Sequence, residues 1–126
     1  MNLIIGGAYQ GKLDYARETY HIQENDIVHC RETDSYIDFS KTCVDHIEEF
    51  VLSCVRSGQD PVAYFKQHWE DWRQSVLICN DLSCGVVPLD PVMRKWRNET
   101  GRLCQFLSRE ASSVSRIFCG LEQKLK

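Results

Sequence analysis

The sequence predicts an α/β protein built in three layers, a mainly parallel sheet with helices on both faces. Three observations carry that expectation. Short apolar runs of strand length alternate with stretches of helical periodicity from one end of the 126 residues to the other. The run Ser75-Val76-Leu77-Ile78-Cys79-Asn80-Asp81 is apolar through its middle, as expected of a strand buried on both faces. Two helical patterns open on Asp-Pro, at Asp60-Pro61 and Asp90-Pro91, where an Asp side chain caps free N–H groups and proline suits the first turn.

The chain opens with Asn2-Leu3-Ile4-Ile5 as a strand that runs into Gly6-Gly7-Ala8-Tyr9-Gln10-Gly11-Lys12-Leu13. The spacing is G-x-x-x-x-G-K, that of a phosphate-binding P-loop between a strand and a helix. Glycines let successive backbone N–H groups turn toward an anion, and the helix that follows adds its positive end. Lys12 would set its ammonium against the outer phosphates. Position 13 departs from the motif, because Leu13 has no hydroxyl with which to coordinate Mg²⁺. The plainer alternative is a glycine-rich turn with an incidental lysine.

A helix is expected from Lys12 to about Tyr20, with Leu13, Ala16 and Tyr20 on one face. His21 to Asn25 reads as a polar connector and Asp26 to Cys30 as a second strand, followed by a charged turn from Arg31 to Ser35. His29 at that strand's end is placed to reach a site or, more simply, is a surface or edge residue. From Tyr36 or Ile37 to Arg56, the repeat of Val44, Ile47, Val51 and Cys54 predicts one amphipathic helix closed by Ser57-Gly58. Asp45, Glu48 and Glu49 would form its solvated face.

Val62, Phe65, Trp69 and Trp72 give the next helix its apolar stripe, as core or a subunit interface rather than a ligand platform. Beyond the carboxyl end of the 75–81 strand, where ligands bind in parallel sheets, Asn80 and Asp81 would stand beside the glycine loop. Asp81 there would hold a metal-bound water or accept a proton, or would merely order the loop that follows. After the loop Gly85-Val86-Val87-Pro88, Val92, Trp96, Leu103 and Leu107 mark a buried helix face. Arg94, Lys95, Arg97 and Arg102 give that helix a basic side, for solvent, phosphates or a neighbouring subunit. Val114 to Cys119 is the last clear strand, and Leu121 to Lys126 forms a short edge strand.

There are no repeats, low-complexity tracts or linkers, so residues 1–126 are expected to form one domain. A net charge of −3 and a pI near 5.8 leave no electrostatic footprint for nucleic acid or an anionic membrane. No apolar run approaches the length of a membrane span and no signal-peptide pattern opens the chain, so a cytoplasmic location is expected. None of the seven cysteines is spaced C-x-x-C, which favours buried reduced thiols over zinc or disulfides. Cys84, in a glycine-containing loop, is the one that stands apart.

Several weak motifs in order carry a family likeness. They are the Gly6-Gly7-Ala8-x-x-Gly11-Lys12 start, the strand ending Asn80-Asp81, the loop Gly85-Val86-Val87-Pro88, the segment Arg94-x-Trp96-x-x-x-x-Gly101-Arg102-x-x-Gln105 and the ending Gly120-x-x-x-Lys124-x-Lys126. Together they resemble the adenosylcobinamide kinase / adenosylcobinamide-phosphate guanylyltransferase family of cobalamin biosynthesis. The resemblance implies a P-loop NTPase-like fold, GTP or ATP as the nucleotide, cobinamide as acceptor and a homo-oligomer. That family phosphorylates the aminopropanol hydroxyl of cobinamide, then transfers GMP from GTP through a guanylylated histidine.

By resemblance, Gly6, Gly7, Ala8, Tyr9, Gln10, Gly11, Lys12 and Leu13 would cradle nucleotide phosphates, with Lys12 and Asp81 as catalytic groups. The departures are specific. The segment that carries the family's guanylylated histidine is shortened between Cys30 and Ile37, and none of His21, His29, His46 and His68 matches it. The acid-bearing strand of the family's middle region is not recognisable, Cys104 replaces an asparagine, Asn98 replaces an acid, and Leu13 removes the magnesium hydroxyl. Two readings stand: a shortened transferase with partial activity, or a non-catalytic nucleotide- or phosphate-binding module.

Overall fold

The computed structural model describes residues 1–82 and 85–126. Six strands, β1 (Asn2–Gly6), β2 (Ile27–His29), β3 (Cys43–Asp45), β4 (Val76–Asn80), β5 (Ser113–Phe118) and β6 (Leu121–Lys124), form one sheet in the order β2-β3-β4-β1-β5-β6. All neighbours are parallel except β5 and β6, which form an antiparallel pair. The helices are α1 (Lys12–Tyr20), α2 (Ile47–Ser57), α3 (Pro61–Gln67), α4 (Trp69–Trp72) and α5 (Pro91–Glu110), and Glu24–Asp26 is a 3-10 turn. This is the expected three-layer α/β architecture.

Alternation along the strands divides the core. Leu3, Val44, Leu77, Cys79 and Val114 face α2, α3 and α5, where they meet Ile47, Phe50, Phe65, Trp72, Leu103 and Leu107. Ile4, Cys43, Val76, Ile78 and Ile117 face the other way, against Ala16, Leu13 and Tyr20 of α1. The central strands β1 and β4 are therefore apolar on both faces, which is why 75–81 reads as a continuous apolar run. Trp72 is fully buried and donates its indole N–H to the Phe65 carbonyl at 2.7 Å. It belongs to the core, the first of the sequence readings.

Local chemistry sets the helix ends as expected. Asp60 Oδ1 accepts from the Val62 and Ala63 amides at 2.9 and 3.3 Å, and Asp90 Oδ1 does the same for Val92 and Met93 at 2.8 and 3.4 Å. Gly58 closes α2 in the left-handed region at φ 76°. Val92, expected on the buried face of α5, is instead exposed on the first turn, ahead of the point where that helix reaches the core.

One element differs outright. The predicted helix from 36 or 37 to Arg56 does not exist as a unit, because Cys43–Asp45 is a strand and α2 begins only at Ile47. Val44 shares helical spacing with Ile47, Val51 and Cys54, so it continues their pattern while belonging to the sheet. The acids are corrected with it. Asp45 and Glu48 are buried at 5% and 1% exposure, not solvated, and Glu49 is half-buried.

Gly6 ends β1 where the chain presses on β5. A Cβ built there would lie 2.5 Å from the Ile117 carbonyl oxygen, a backbone atom that cannot move aside, whereas one at Gly7 would meet only the flexible Gln10 side chain at 3.6 Å. Gly6→Ala should therefore lower unfolding stability by about 1–3 kcal/mol in chemical denaturation, with Gly7→Ala costing distinctly less.

Candidate functional site

The sheet's carboxyl edge opens into a cavity of about 620 Å³ between the loop after β1 and the start of α2. Its walls are Ala8, Tyr9, Gly11, Lys12, Leu13 and Asp14 on one side, and Asp45, His46, Glu49 and Asn80 on the other. The topology explains the placement. Loops leaving the carboxyl ends of β1, β3 and β4 converge here, with β4 between the other two.

On the loop side, Tyr9 takes a left-handed φ of 61° and is fully exposed, while Gly11 caps α1 at φ 96°, a conformation that glycine adopts without strain. Lys12 is 7% exposed and donates to the Gly7 carbonyl at 2.6 Å across the turn. Burial lowers its pKa, and the negative charges of Glu48 and Asp45 act in the opposite direction. Gln10 turns away from the cavity: its side-chain oxygen accepts from the Cys119 amide at 2.7 Å, and its carbonyl from the Gly120 amide at 2.8 Å. The loop tip is thus pinned to the β5–β6 turn.

On the acid side, a hydrogen-bonded chain runs through two histidines. His29 donates through Nδ1 to Asp45 Oδ2 at 2.9 Å, and its Nε2 stands 3.2 Å from Glu24 Oε1. The His46 amide donates to Asp45 Oδ1 at 2.8 Å, its Nδ1 lies 3.0 Å from Glu48 Oε2, and its Nε2 is 3.5 Å from Asp45 Oδ2. Glu48 Oε1 accepts from the Asn80 amide at 2.8 Å, and the Trp96 indole donates to the Glu48 carbonyl at 2.7 Å. His46 itself has φ 58°, a left-handed kink that turns the end of β3 into the start of α2. Of the two readings the sequence leaves for His29, a site residue or a surface or edge residue, the structure favours the first, because His29 and the His46 amide together orient Asp45.

Of the residues expected at the site, Ala8, Tyr9, Gly11, Lys12 and Leu13 wall the cavity, while Gly6, Gly7 and Gln10 shape the loop without lining it. Asp81 stands one residue beyond. Its amide donates to the Gly6 carbonyl at 2.8 Å, and the residue borders a neighbouring cavity of about 240 Å³ with Arg97, Thr100 and Cys104. The residue that β4 sends to the main cavity is Asn80. The sequence does not single out Asp45, His46 and Glu49, because the segment that carries them has helical periodicity and looks like an ordinary solvated face. A signal is present nonetheless: Cys43-Val44-Asp45 is a short apolar pair ending in an acid, just before a strong helix.

Cys30, Cys43, Cys54 and Cys79 are buried free thiols, as expected, whereas Cys104 is half-buried and Cys119 is exposed at the β5–β6 turn. Burial pushes Cys43 up to about 12 and Cys54 up to about 11, so they are unreactive. Cys84 lies outside the described residues. Among the described residues no helix is long and apolar enough to cross a membrane.

His29 gives the site a pH signature. Burial pulls its pKa down, but the hydrogen bonds to Glu24 and Asp45 outweigh that, and the net shift is upward. A raised histidine stabilises the fold fully below its unfolded value of about 6.5, and the contribution is lost as pH climbs through the folded value. The urea midpoint of the wild type should therefore exceed that of His29→Gln most at about pH 6, and the gap should narrow toward about pH 8.5.

No curated protein matches the chain. The family model described as cobinamide kinase / cobinamide phosphate guanyltransferase matches residues 43–125, from the first residue of β3 through β6. The match begins at the first residue of the strand that carries Asp45. With well over half of its length matched, the chain belongs to the cobinamide kinase / cobinamide phosphate guanyltransferase family.

Proposed function

We propose that the 620 Å³ cavity binds the phosphates of GTP or ATP, and that the chain carries out its family's phosphoryl or guanylyl transfer weakly. The observation that carries this reading is the opposition, across one cavity, of the Lys12 loop and the Asp45–His46 corner. Lys12 is held to Gly7 by a single hydrogen bond, which an incoming phosphate oxygen would replace with a stronger charged one. Asp45, oriented by His29, would accept a proton or hold a water at the reacting phosphate. Asp81, one step along β4, would act on the acceptor side, from the cavity it shares with Arg97. Cobinamide is the acceptor that the family implies.

The hydroxyl that the loop motif offers magnesium is missing here. Leu13 presents no oxygen, and both oxygens of Asp45 are already hydrogen-bonded, one to the His46 amide and one to His29. Phosphate charge then falls to Lys12, the loop amides and the histidines. Three carboxylates, those of Asp14, Asp45 and Glu49, share the cavity with one lysine, which disfavours a highly charged ligand. Loss of one preorganised charge stabiliser costs roughly 10²–10³ in rate, so turnover should be slow. If turnover is absent altogether, the chain is a nucleotide- or phosphate-binding module.

The test is calorimetric titration of GTP and ATP with and without Mg²⁺, beside a kinase and guanylylation assay on cobinamide. Lys12→Ala should weaken nucleotide binding by roughly ten-fold or more, the worth of one charged hydrogen bond. Unchanged affinity in that variant would remove the phosphate cradle from the site. Affinity indifferent to Mg²⁺ with no product identifies the binding module, whereas Mg²⁺-dependent binding with product identifies the transferase.

A second reading rests on His46. Glu48, itself buried, holds Nδ1 at 3.0 Å, and the 3.5 Å from Nε2 to Asp45 is too long for a strong hydrogen bond, so Nε2 can meet a phosphate. Attack of Nε2 on the α-phosphorus of GTP would form a P–N bond and release pyrophosphate, doing the work of the missing histidine segment. Incubation with α-labelled GTP should then leave acid-labile label on the wild type and none on His46→Asn. Equal labelling of the two would exclude His46.

A further inference from the structure

An aromatic cluster stands apart from the nucleotide cavity. The segment 36–40, ahead of β3, faces α3 and α4 across a cavity of about 460 Å³, and none of the residues that line it also lines the 620 Å³ cavity. Tyr36, Phe39, Tyr64 and His68 supply its rings, and Asp38 and Asp71 its charges. The rings are held in place by contacts of their own. The Tyr64 hydroxyl accepts from the Ile37 amide at 3.0 Å, which ties the segment to α3, and the Tyr64 and His68 rings lie 4.4 Å apart between centroids. Phe39 lies 6.3 Å from Tyr64 and 5.8 Å from His68, so the three form one cluster. The charge balance is one-sided. Among the described residues no lysine or arginine lines the cavity. Lys41 sends its ammonium to the Asn25 carbonyl at 2.8 Å, and that of Lys66 lies 5.6 Å from the centre of the Phe106 ring.

We propose that this cavity binds a small organic cation of the quaternary-ammonium class. Aromatic faces are negative and attract a cation whose charge is carried on methyl groups, which ask for no hydrogen bonds. The two carboxylates supply the balancing charge. Asp38 Oδ1 accepts from the Ser40 amide and hydroxyl at 3.0 and 2.5 Å, and those bonds hold its carboxyl below the usual range. Asp71 Oδ2 lies 3.1 Å from His68 Nδ1. A metal ion fits less well, because hard cations take about six or more oxygen ligands and one oxygen of each acid is already bonded here. The Ser40 hydroxyl is engaged with Asp38, so Ser40, His68 and Asp71 do not make a nucleophilic triad. The 36–40 wall lies outside the residues 43–125 that match the family, so the family relationship does not assign this cavity.

Amide NMR of the isotope-labelled chain tests this with two probes, choline and the neutral alcohol in which carbon replaces the choline nitrogen. Choline should shift the Ile37, Phe39 and Ser40 amides saturably, and the neutral isostere should bind at least roughly ten-fold more weakly. Phe39→Leu removes a ring and keeps most of the bulk, and Asp71→Asn removes a charge and keeps an acceptor for His68. Each should weaken choline roughly three- to ten-fold. Tyr36→Leu should do the same, and because Tyr36 is 71% exposed, that variant keeps the core intact should the Phe39 one fail to fold. Unchanged signals from β1 and β4 show that each variant is folded. Shifts that do not saturate, an isostere that binds as tightly as choline, or choline affinity unchanged in Tyr36→Leu and Asp71→Asn would each overturn the proposal.

Discussion

The carboxylate of Glu48 is the point on which the wall facing the glycine loop depends. It is 1% exposed, and a buried charge without partners costs several kcal/mol, so the structure must be organised to satisfy it. One oxygen takes the Asn80 amide at the end of β4, and the other takes the imidazole of His46 at the end of β3. The backbone carbonyl of the same residue receives the Trp96 indole from α5. A single residue thereby ties two strand tips and two helices together, and the groups it ties are those that face the glycine loop. Removing its side chain would leave the corner with an unpaired amide and an unheld histidine.

The sheet was largely legible because its central strands are buried on both sides, and that burial writes itself as uninterrupted apolar sequence at Leu3–Ile5 and Val76–Cys79. Helix starts were legible because Asp60 and Asp90 cap by local chemistry that needs no tertiary context. The acid wall was not. β3 is three residues long, and Val44 falls on the spacing of the helix that follows, so periodicity absorbed the strand. The meeting of His29 with Asp45 arises from the parallel register of β2 and β3, where the two are cross-strand partners. No local pattern in a single sequence announces that pairing.

The family relationship and the geometry inform different parts of the molecule. The matched segment runs from the Asp45 strand to the last hairpin, whereas the phosphate-loop spacing lies before it, at Gly6 to Lys12. The fold brings the two together by inserting β1 between β4 and β5, so that the loop opens onto the matched residues. The region between β2 and β3 makes no regular element before Cys43. Both histidines of the site come from the ends of these two strands, which is where a compressed chain can still deliver an imidazole to the sheet's edge.

Gln10 gives the glycine loop an anchor that is remote in sequence. Its carbonyl and its side-chain oxygen hold the Gly120 and Cys119 amides, so the loop tip and the final hairpin share hydrogen bonds that neither can keep alone. Lifting of the loop would therefore free both amides, and their solvent exchange should report it. Any ligand that settles the loop therefore quiets the far edge of the sheet as well.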